Sequence, residues 1–384
     1  MGAAPPRRLA VVSDSVHPWN TGGKERRHHE LLTRLAARGV AVDIYTMRWW
    51  GGEEKSIVLD GITYHALCRH IPLYAGKRRS IFQAVVFALA SLRMVTRRFD
   101  VIEADAIPFL QLFPVRVVAW VRRVPMVVTW HEFWGTDYWV EYLGPLGHVA
   151  ARLERVAVAL PTRIIAASAA TAERLSESSP RSLDVRVVPN GVSFESLRAA
   201  ADVAPPGGDQ IRLICIGRML DHKKVDVAIE ATAELRDRGL PVHLRLIGEG
   251  PEREDLMALV SRLELDDVVE FTTFLDEHAD VLCALAQSHV LLFPSIREGF
   301  GMAALEAMAV GTPVVTSDHP DNFARHLIVP GVNGFAVPAE AARFADSVLA
   351  TMADREALAA GATRTARDYD WDRMTDEAQK AYGC

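Results

Sequence analysis

Short β-branched runs alternate with helix-length amphipathic stretches along almost the whole chain, the pattern of βα units that build a parallel sheet. In the first half the apolar runs Leu9–Ser13, Ala41–Thr46, Val101–Glu103, Met126–Trp130, Arg163–Ala167 and Val185–Val188 predict strands with helices between them. The rhythm breaks over Ser193–Gln210, where Ala199-Ala200-Ala201 and Pro205-Pro206-Gly207-Gly208 hold no clear strand and read as a linker. A second series follows at Ile211–Ile216, His243–Ile247, Val268–Phe271, Val290–Phe293 and Pro313–Thr316. The pattern predicts an α/β protein of two doubly wound, Rossmann-like domains: residues 1–192, a linker at 193–210, and residues 211–365. Asp354–Tyr382 reads as two closing helices, and the last, within 366–384, is expected to return to the first domain. Ligands of open parallel sheets collect at the carboxyl ends of the strands, so two such domains facing each other would form a cleft.

Composition narrows the class. A chain of 384 residues with 49% hydrophobic residues can fill two cores. A net charge of −6 argues against a general nucleic-acid binder, which needs a basic surplus. Cys68, Cys215, Cys283 and Cys384 are widely spaced and form no Cys-x-x-Cys pair, as expected of reduced thiols in a cytoplasmic protein without a disulfide framework or metal site. The residues before Leu9 lack the apolar core of a signal peptide, which also predicts a cytoplasmic location. No uncharged apolar run reaches the roughly 18 residues of a membrane span. Ile81–Val95 comes nearest, flanked by Lys77, Arg78, Arg79, Arg97 and Arg98, and makes residues 77–98 the candidate for a peripheral membrane contact. The plainer reading is a helix packed on a sheet, with solvated basic ends.

The chemistry concentrates in a few short runs. Glu298-Gly299-Phe300-Gly301-Met302-Ala303-Ala304-Leu305-Glu306 puts two carboxylates eight residues apart, around two glycines where a helix begins. Bare backbone N–H groups and the positive end of a helix dipole favour an anion there, while separated carboxylates suit vicinal hydroxyls. Gly217-Arg218 ends a predicted strand and Lys223 follows in the next turn, two cations able to stabilise a departing diphosphate. After the first strand, Asn20-Thr21-Gly22-Gly23-Lys24-Glu25 makes a glycine turn that matches neither the dinucleotide nor the Walker pattern. His131 lies just past the strand Met126–Trp130 and could hold a sugar hydroxyl or act as a base, with a capping or core role as the ordinary alternative. Trp134, Tyr138 and Trp139 follow it and could stack on a sugar ring or an apolar acceptor. Asp368-Tyr369-Asp370 and Asp370-Trp371-Asp372 match a metal-binding Asp-x-Asp pattern, but stand where a helix start favours aspartate.

In order, Gly22-Gly23-Lys24-Glu25-Arg26, Val188-Pro189-Asn190-Gly191-Val192, Gly217-Arg218 with Lys223, Pro294-Ser295 before Glu298-Gly299-Phe300-Gly301, Glu306-Ala307-Met308-Ala309 and Gly311-Thr312-Pro313-Val314-Val315 resemble the family 4 retaining glycosyltransferases, the glycosyl transferases of group 1. The resemblance covers essentially the full chain and implies the GT-B fold. It also implies transfer of a sugar from a nucleoside-diphosphate donor with retention, without a metal or other cofactor. By position it assigns Arg218 and Lys223 to the diphosphate, Glu306 to the ribose and Glu298 to the donor sugar. Backbone at Gly299, Phe300, Gly301 and Met302 would complete these contacts, Gly23 would approach the diphosphate from the first domain, and His131 would contact the sugar. Glu298, His131, Arg218 and Lys223 are thus the expected catalytic residues. Lys224 stands where the family usually has glycine. The expected donor is a UDP-hexose or UDP-N-acetylhexosamine, and the acceptor a small molecule such as a secondary metabolite, or a glycan. Alternatives are a mannosyl- or glucosyltransferase acting on a lipid-linked glycan at a membrane surface, and a non-catalytic nucleotide-sugar binding protein.

Overall fold

The computed structural model describes residues 7–20, 22–75, 78–201, 203, 206–273, 275 and 277–383. The chain divides into two compact units, Met1–Pro189 with Trp371–Cys384, and Asn190–Asp370.

In the first unit one sheet runs Val185–Val187, Arg163–Ala166, Met126–Trp130, Val101–Asp105, Arg8–Val12, Ala41–Arg48, Ile62–Arg69 and Ser56–Leu59 in spatial order. Neighbours are parallel apart from the hairpin Ser56–Leu59 with Ile62–Arg69. The central strands are apolar on both sides because helices cover both faces. Leu9 and Val11 enter one core with Leu31, Leu35 and Ile44, while Ala10 and Val12 enter the other with Phe87, Ile102 and Trp130. From Arg8–Val12 the following strands are added towards one edge, and from Val101–Asp105 towards the other, so the switch lies between these two paired strands.

The second unit has six parallel strands: Val269–Thr272, Val242–Ile247, Ile211–Ile216, Val290–Phe293, Val314–Ser317 and Gly334–Val337. In chain order this is 3-2-1-4-5-6, the doubly wound arrangement, with its switch between Ile211–Ile216 and Val290–Phe293. Leu213 and Cys215 face one core, Ile214 the other.

Three strands of the two large sheets escape the sequence pattern. Ser56–Leu59 and Ile62–Arg69 form an edge hairpin in which Ile62, Tyr64 and Leu67 are buried among polar neighbours, so no continuous apolar run marks it. Gly334–Val337 opens on a glycine that a Cβ would drive to 1.9 Å from Val314 O, so the strand pairs through backbone that only glycine admits.

The expected linker is also corrected. Within Ser193–Gln210, Phe194–Ala200 is a helix whose Phe194 and Leu197 are buried in the core of the second unit. Residues 202, 204 and 205 of that stretch lie outside the described residues. The chain closes with Trp371–Tyr382, whose buried Trp371, Met374, Ala378 and Tyr382 form an i, i+3, i+7, i+11 stripe in the core of the first unit.

No described helix is long and apolar enough to cross a membrane. The apolar stretch after Ser80 forms the helix Ile81–Ser91, capped by the Ser80 side chain accepting from Gln83 N at 3.2 Å. It buries Gln83, Ala84, Phe87 and Ala88 but leaves Ile81, Phe82 and Leu89 more than 60% exposed, so one buried face does not account for its composition. Lys77 and Cys384 lie outside the described residues.

Candidate active site

In the second unit the expected donor residues gather at the carboxyl ends of the strands flanking the switch. Gly217 (φ +148°) turns the chain out of Ile211–Ile216, and the Gly217–Met219 backbone packs against Gly248 and Gly250. A Cβ at Gly248 would lie 1.9 Å from Gly217 O, and one at Gly250 would lie 2.2 Å from Met219 O. Exposed Arg218 and half-buried Lys223 line one recess with Phe293, Pro294 and Ser295. The two loops are stitched together by Ile296 N donating to His222 O at 2.9 Å.

Lys223 Nζ pairs with Glu298 Oε1, and the Ser295 hydroxyl donates to the same oxygen at 3.4 Å. The cation and the acid expected to serve different parts of the donor therefore neutralise each other. Their loop is braced by Glu298 N donating to Asp321 O and Phe323 N to Glu298 O.

Gly301 (φ +91°) caps the helix Met302–Ala309. A Cβ there would fall 2.5 Å from the Ala324 Cβ, so both conformation and space demand glycine. The first N–H groups of this helix have no partner within it and suit an anion. Phe300 turns its ring edge-on to Tyr369 at 5.9 Å. Glu306 is 8% exposed and lies 3.4 Å from His278 Nε2, apart from the Lys223–Glu298 pair. Lys224 takes φ +51°, explaining why a glycine suits this position, and its amine pairs with Asp221 at 2.8 Å.

In the first unit Gly22 caps the helix Gly23–Ala37, and a Cβ on Gly23 would have nothing within 4 Å. Behind this turn, at the sheet's switch, lies a buried charge cluster. Lys24 Nζ is 3.1 Å from Asp105 Oδ2 and 3.3 Å from Asp14 Oδ1. Ser13 donates to Asp105 Oδ2 at 2.6 Å, and Arg79 and Gln83 donate to Asp14 Oδ2 at 3.2 and 3.1 Å. His28 Nε2 stands 3.5 Å from both Glu103 and Asp105, and Glu103 accepts from Thr129 and, at 2.7 Å, from Tyr382 of the C-terminal helix. His131 Nε2 lies 3.4 Å from Asp105 Oδ1, without hydrogen-bond geometry.

The cluster sorts its protons. Burial works against the charge on Lys24 and His28, but Asp105 and its acidic neighbours outweigh it and hold both above their ordinary values. Asp105, despite burial, is held far below the carboxylate range by His28 and Lys24. His131 goes the other way: burial, helped by Arg27 and His28, overrides Asp105 and keeps the imidazole below its ordinary value and neutral.

Residues 21–196 match the family described as Glycosyltransferase Family 4, and residues 200–368 match Glycosyl transferases group 1, so the two descriptions together span nearly the whole chain. The chain is a group 1 glycosyltransferase. It is 29% identical, over 99% of its length and 90% of the relative's, to a D-inositol 3-phosphate glycosyltransferase of Geodermatophilus obscurus. Its fold resembles sucrose-phosphate synthase from Thermosynechococcus elongatus, with TM-score 0.72, 19% identity and 98% of both chains covered. It likewise resembles Anabaena HepE in complex with UDP-glucose, with TM-score 0.67, 19% identity, and 98% of this chain and 100% of the other covered. The fold class is GT-B, and this glycosyltransferase moves a hexosyl group from a nucleotide sugar.

The sequence pattern passes over much of the first-unit cluster. Asp14, His28, Glu103 and Asp105 lie within or just beyond stretches that read only as strands and helices. The signal was Glu103 and Asp105 inside the run Val101-Ile102-Glu103-Ala104-Asp105, since acids in a central strand must be paired when buried. Gly248 and Gly250 were missed as well, although two glycines one residue apart after a strand mark close backbone approach. Among the described residues no group of three or more His, Cys, Asp or Glu side chains is arranged to hold a metal ion.

Proposed function

We propose that this glycosyltransferase uses a UDP-hexose or UDP-N-acetylhexosamine and transfers the sugar with retention, on the same face and without a metal, to an acceptor hydroxyl. The observation that carries the reading is the convergence at one sheet switch of Arg218, Lys223, Glu298 and the glycine-capped helix start at Gly301. HepE, whose fold this chain shares, is in complex with UDP-glucose, which supports UDP as the base.

Donor arrival gives the Lys223–Glu298 pair its purpose. Lys223 exchanges Glu298 for a phosphate oxygen, and the released carboxylate accepts hydrogen bonds from the sugar. Arg218 and the Met302 helix start share the charge that builds on the diphosphate as the bond from C1 to phosphate oxygen breaks. The acceptor oxygen bonds to C1 on the same face, and its proton passes to the departing phosphate oxygen. His131 hydrogen-bonds a sugar hydroxyl; because burial keeps it neutral, it adds no positive charge beside the developing oxocarbenium ion. Glu306 takes the ribose hydroxyls, giving up His278.

The test is a panel of UDP, GDP and ADP sugars with released nucleotide as the readout and the product anomer read by NMR. UDP release and a retained anomer are expected, with Glu306→Ala weakening UDP binding by roughly tenfold or more. An inverted anomer would sink the mechanism, and an unchanged UDP affinity in the variant would sink the ribose role.

A second reading, transfer to a lipid-linked glycan at a membrane surface, draws on the exposed Ile81, Phe82, Val85, Leu89 and Leu92 beside Arg97 and Arg98.

A further inference from the structure

The first unit contains a cavity of about 310 Å³, in the range of small-molecule sites. Three segments at the carboxyl end of the sheet wall it. Ala106, Pro108 and Phe109 follow the strand Val101–Asp105 directly. Trp134, Trp139 and Tyr142 come from the segment after Met126–Trp130, and Leu146, Val149 and Leu153 from the start of the next helix. The helix Ile81–Ser91 closes the fourth side with Ile81, Gln83 and Ala84.

The wall is almost entirely carbon. Glu154 is the buried acid among its residues, and both its oxygens are occupied: Trp134 N and Gly135 N donate to them at 3.3 and 3.0 Å. Gln83 is different. It is 1% exposed, its amide nitrogen donates to Asp14 Oδ2 at 3.1 Å, and its carbonyl oxygen is buried without a partner. The Asp14 carboxylate fixes this orientation, because the reverse would set two acceptor oxygens face to face. This acceptor finds no donor among the described residues, and its residue lines the cavity, so a ligand seated there could supply one.

The cavity also adjoins the charge cluster. Ala106 is the residue after Asp105, and Arg79 and Gln83 both line the cavity and donate to Asp14. At its mouth Ile81, Leu146 and Val149 are more than half exposed, so the apolar surface continues outward.

We propose that this cavity seats the acceptor, and that the acceptor carries its hydroxyl on an apolar body, a fused aromatic system or an alkyl or isoprenoid chain. The body fills the space between the Trp134–Trp139–Tyr142 wall and the helix Ile81–Ser91, and a hydroxyl donates to Gln83 Oε1. The assignment rests on the glycosyltransferase reading above and names its acceptor class. A polyol phosphate, the acceptor class in the name of the inositol relative, would leave this wall without an apolar partner.

The test uses 2-naphthol, naphthalene and myo-inositol 3-phosphate in buffer, and farnesol in phosphatidylcholine vesicles. Binding of the aromatics is followed by the fluorescence of Trp134 and Trp139, and binding of farnesol by cosedimentation. UDP binding is measured separately by calorimetry. The expected result is that 2-naphthol or farnesol binds, 2-naphthol exceeding naphthalene by roughly three- to tenfold, the worth of one hydrogen bond. Gln83→Leu should erase that advantage while leaving naphthalene unchanged. Leu146→Asp, an exposed change at the mouth, should weaken every apolar ligand.

A 2-naphthol signal in buffer identifies a freely diffusing acceptor. Cosedimentation of farnesol alone, lost in Leu146→Asp, identifies one drawn from a membrane. The proposal is overturned if myo-inositol 3-phosphate alone binds, if no apolar probe binds, or if neither variant changes their binding. UDP binding separates the two levels: apolar probes failing while UDP binds ends the acceptor assignment alone, and UDP failing to bind ends the donor reading.

Discussion

At the scale of single residues, two backbone positions carry opposite tests of the donor loop. Gly301 combines φ +91° with a Cβ path that ends 2.5 Å from the Ala324 Cβ. Gly301→Ala therefore meets conformational strain on the order of 1–2 kcal/mol and a collision with a neighbouring helical turn. The helix start should shift, and UDP affinity by calorimetry should fall by about tenfold or more. Retained affinity would mean that the Met302 helix start does not hold the diphosphate. Lys224 is the inverse case, a lysine in left-handed backbone at φ +51°. Its Asp221 partner is 80% exposed in its side chain, so the lost ion pair weighs little. Lys224→Gly should raise stability by about 1 kcal/mol in urea unfolding. A loss of stability would show that the ion pair, not the backbone, governs this turn.

At the scale of elements, regularity decided what the sequence disclosed. Strands with mostly apolar runs, such as Met126–Trp130 and Ile211–Ile216, stand where the pattern put them, because burial on both faces favours apolar residues along the whole strand. The edge hairpin at Ser56–Leu59 and Ile62–Arg69 hid because one face is wet, and the helix Phe194–Ala200 hid because seven residues give too few turns for a period. The helix start in the Glu298–Glu306 run was legible because its glycines and acids are close in sequence. The first-unit cluster was not, since Asp14, His28, Asp105 and His131 come from four separate segments and meet only when the sheet forms. That meeting has a pH signature. His28 sits above its ordinary 6.5, so its stabilising contribution is full below about pH 6.5 and fades as pH rises through the raised value. Glu103 and Asp105 sit below their ordinary 4.5 and 3.8, so theirs is full above those values and fades as pH falls through the lowered ones. The cluster therefore stabilises the first unit most between about pH 4.5 and 6.5. Replacing His28 by Gln leaves two buried acids short of a cation, a cost of about 3 kcal/mol near pH 6. The gap between wild type and variant in urea midpoint should narrow towards pH 9. A gap independent of pH would mean that His28 is not charged in the folded protein.

At the scale of the whole molecule, the two units differ in how the chain completes them. The second is one continuous segment, Asn190–Asp370, with its own six-stranded sheet and the expected Arg218, Lys223, Glu298 and Glu306. Its ends are tied to each other: Val192 N donates to Tyr369 O at 2.9 Å and Phe194 N to Asp370 Oδ2 at 3.1 Å. The first unit needs a piece from beyond the second. Trp371, Met374, Ala378 and Tyr382 are buried in its core, and the Tyr382 hydroxyl donates to buried Glu103 at 2.7 Å. Without that helix the core loses a Trp and a Tyr, each worth several kcal/mol, and Glu103 keeps a charge with one fewer donor. A fragment of residues 190–370 should therefore melt cooperatively and bind UDP within about tenfold of the full chain, since the resemblance assigns only Gly23 and His131 of the first unit to the donor. A fragment of residues 1–189 should show no cooperative melt until residues 371–384 are fused to its end. If 190–370 folds yet binds no UDP, the assignment of the diphosphate to Arg218, Lys223 and the Gly301 turn is wrong. Should 1–189 instead melt as sharply as the full chain, the C-terminal helix is an accessory to the first core rather than a part of it.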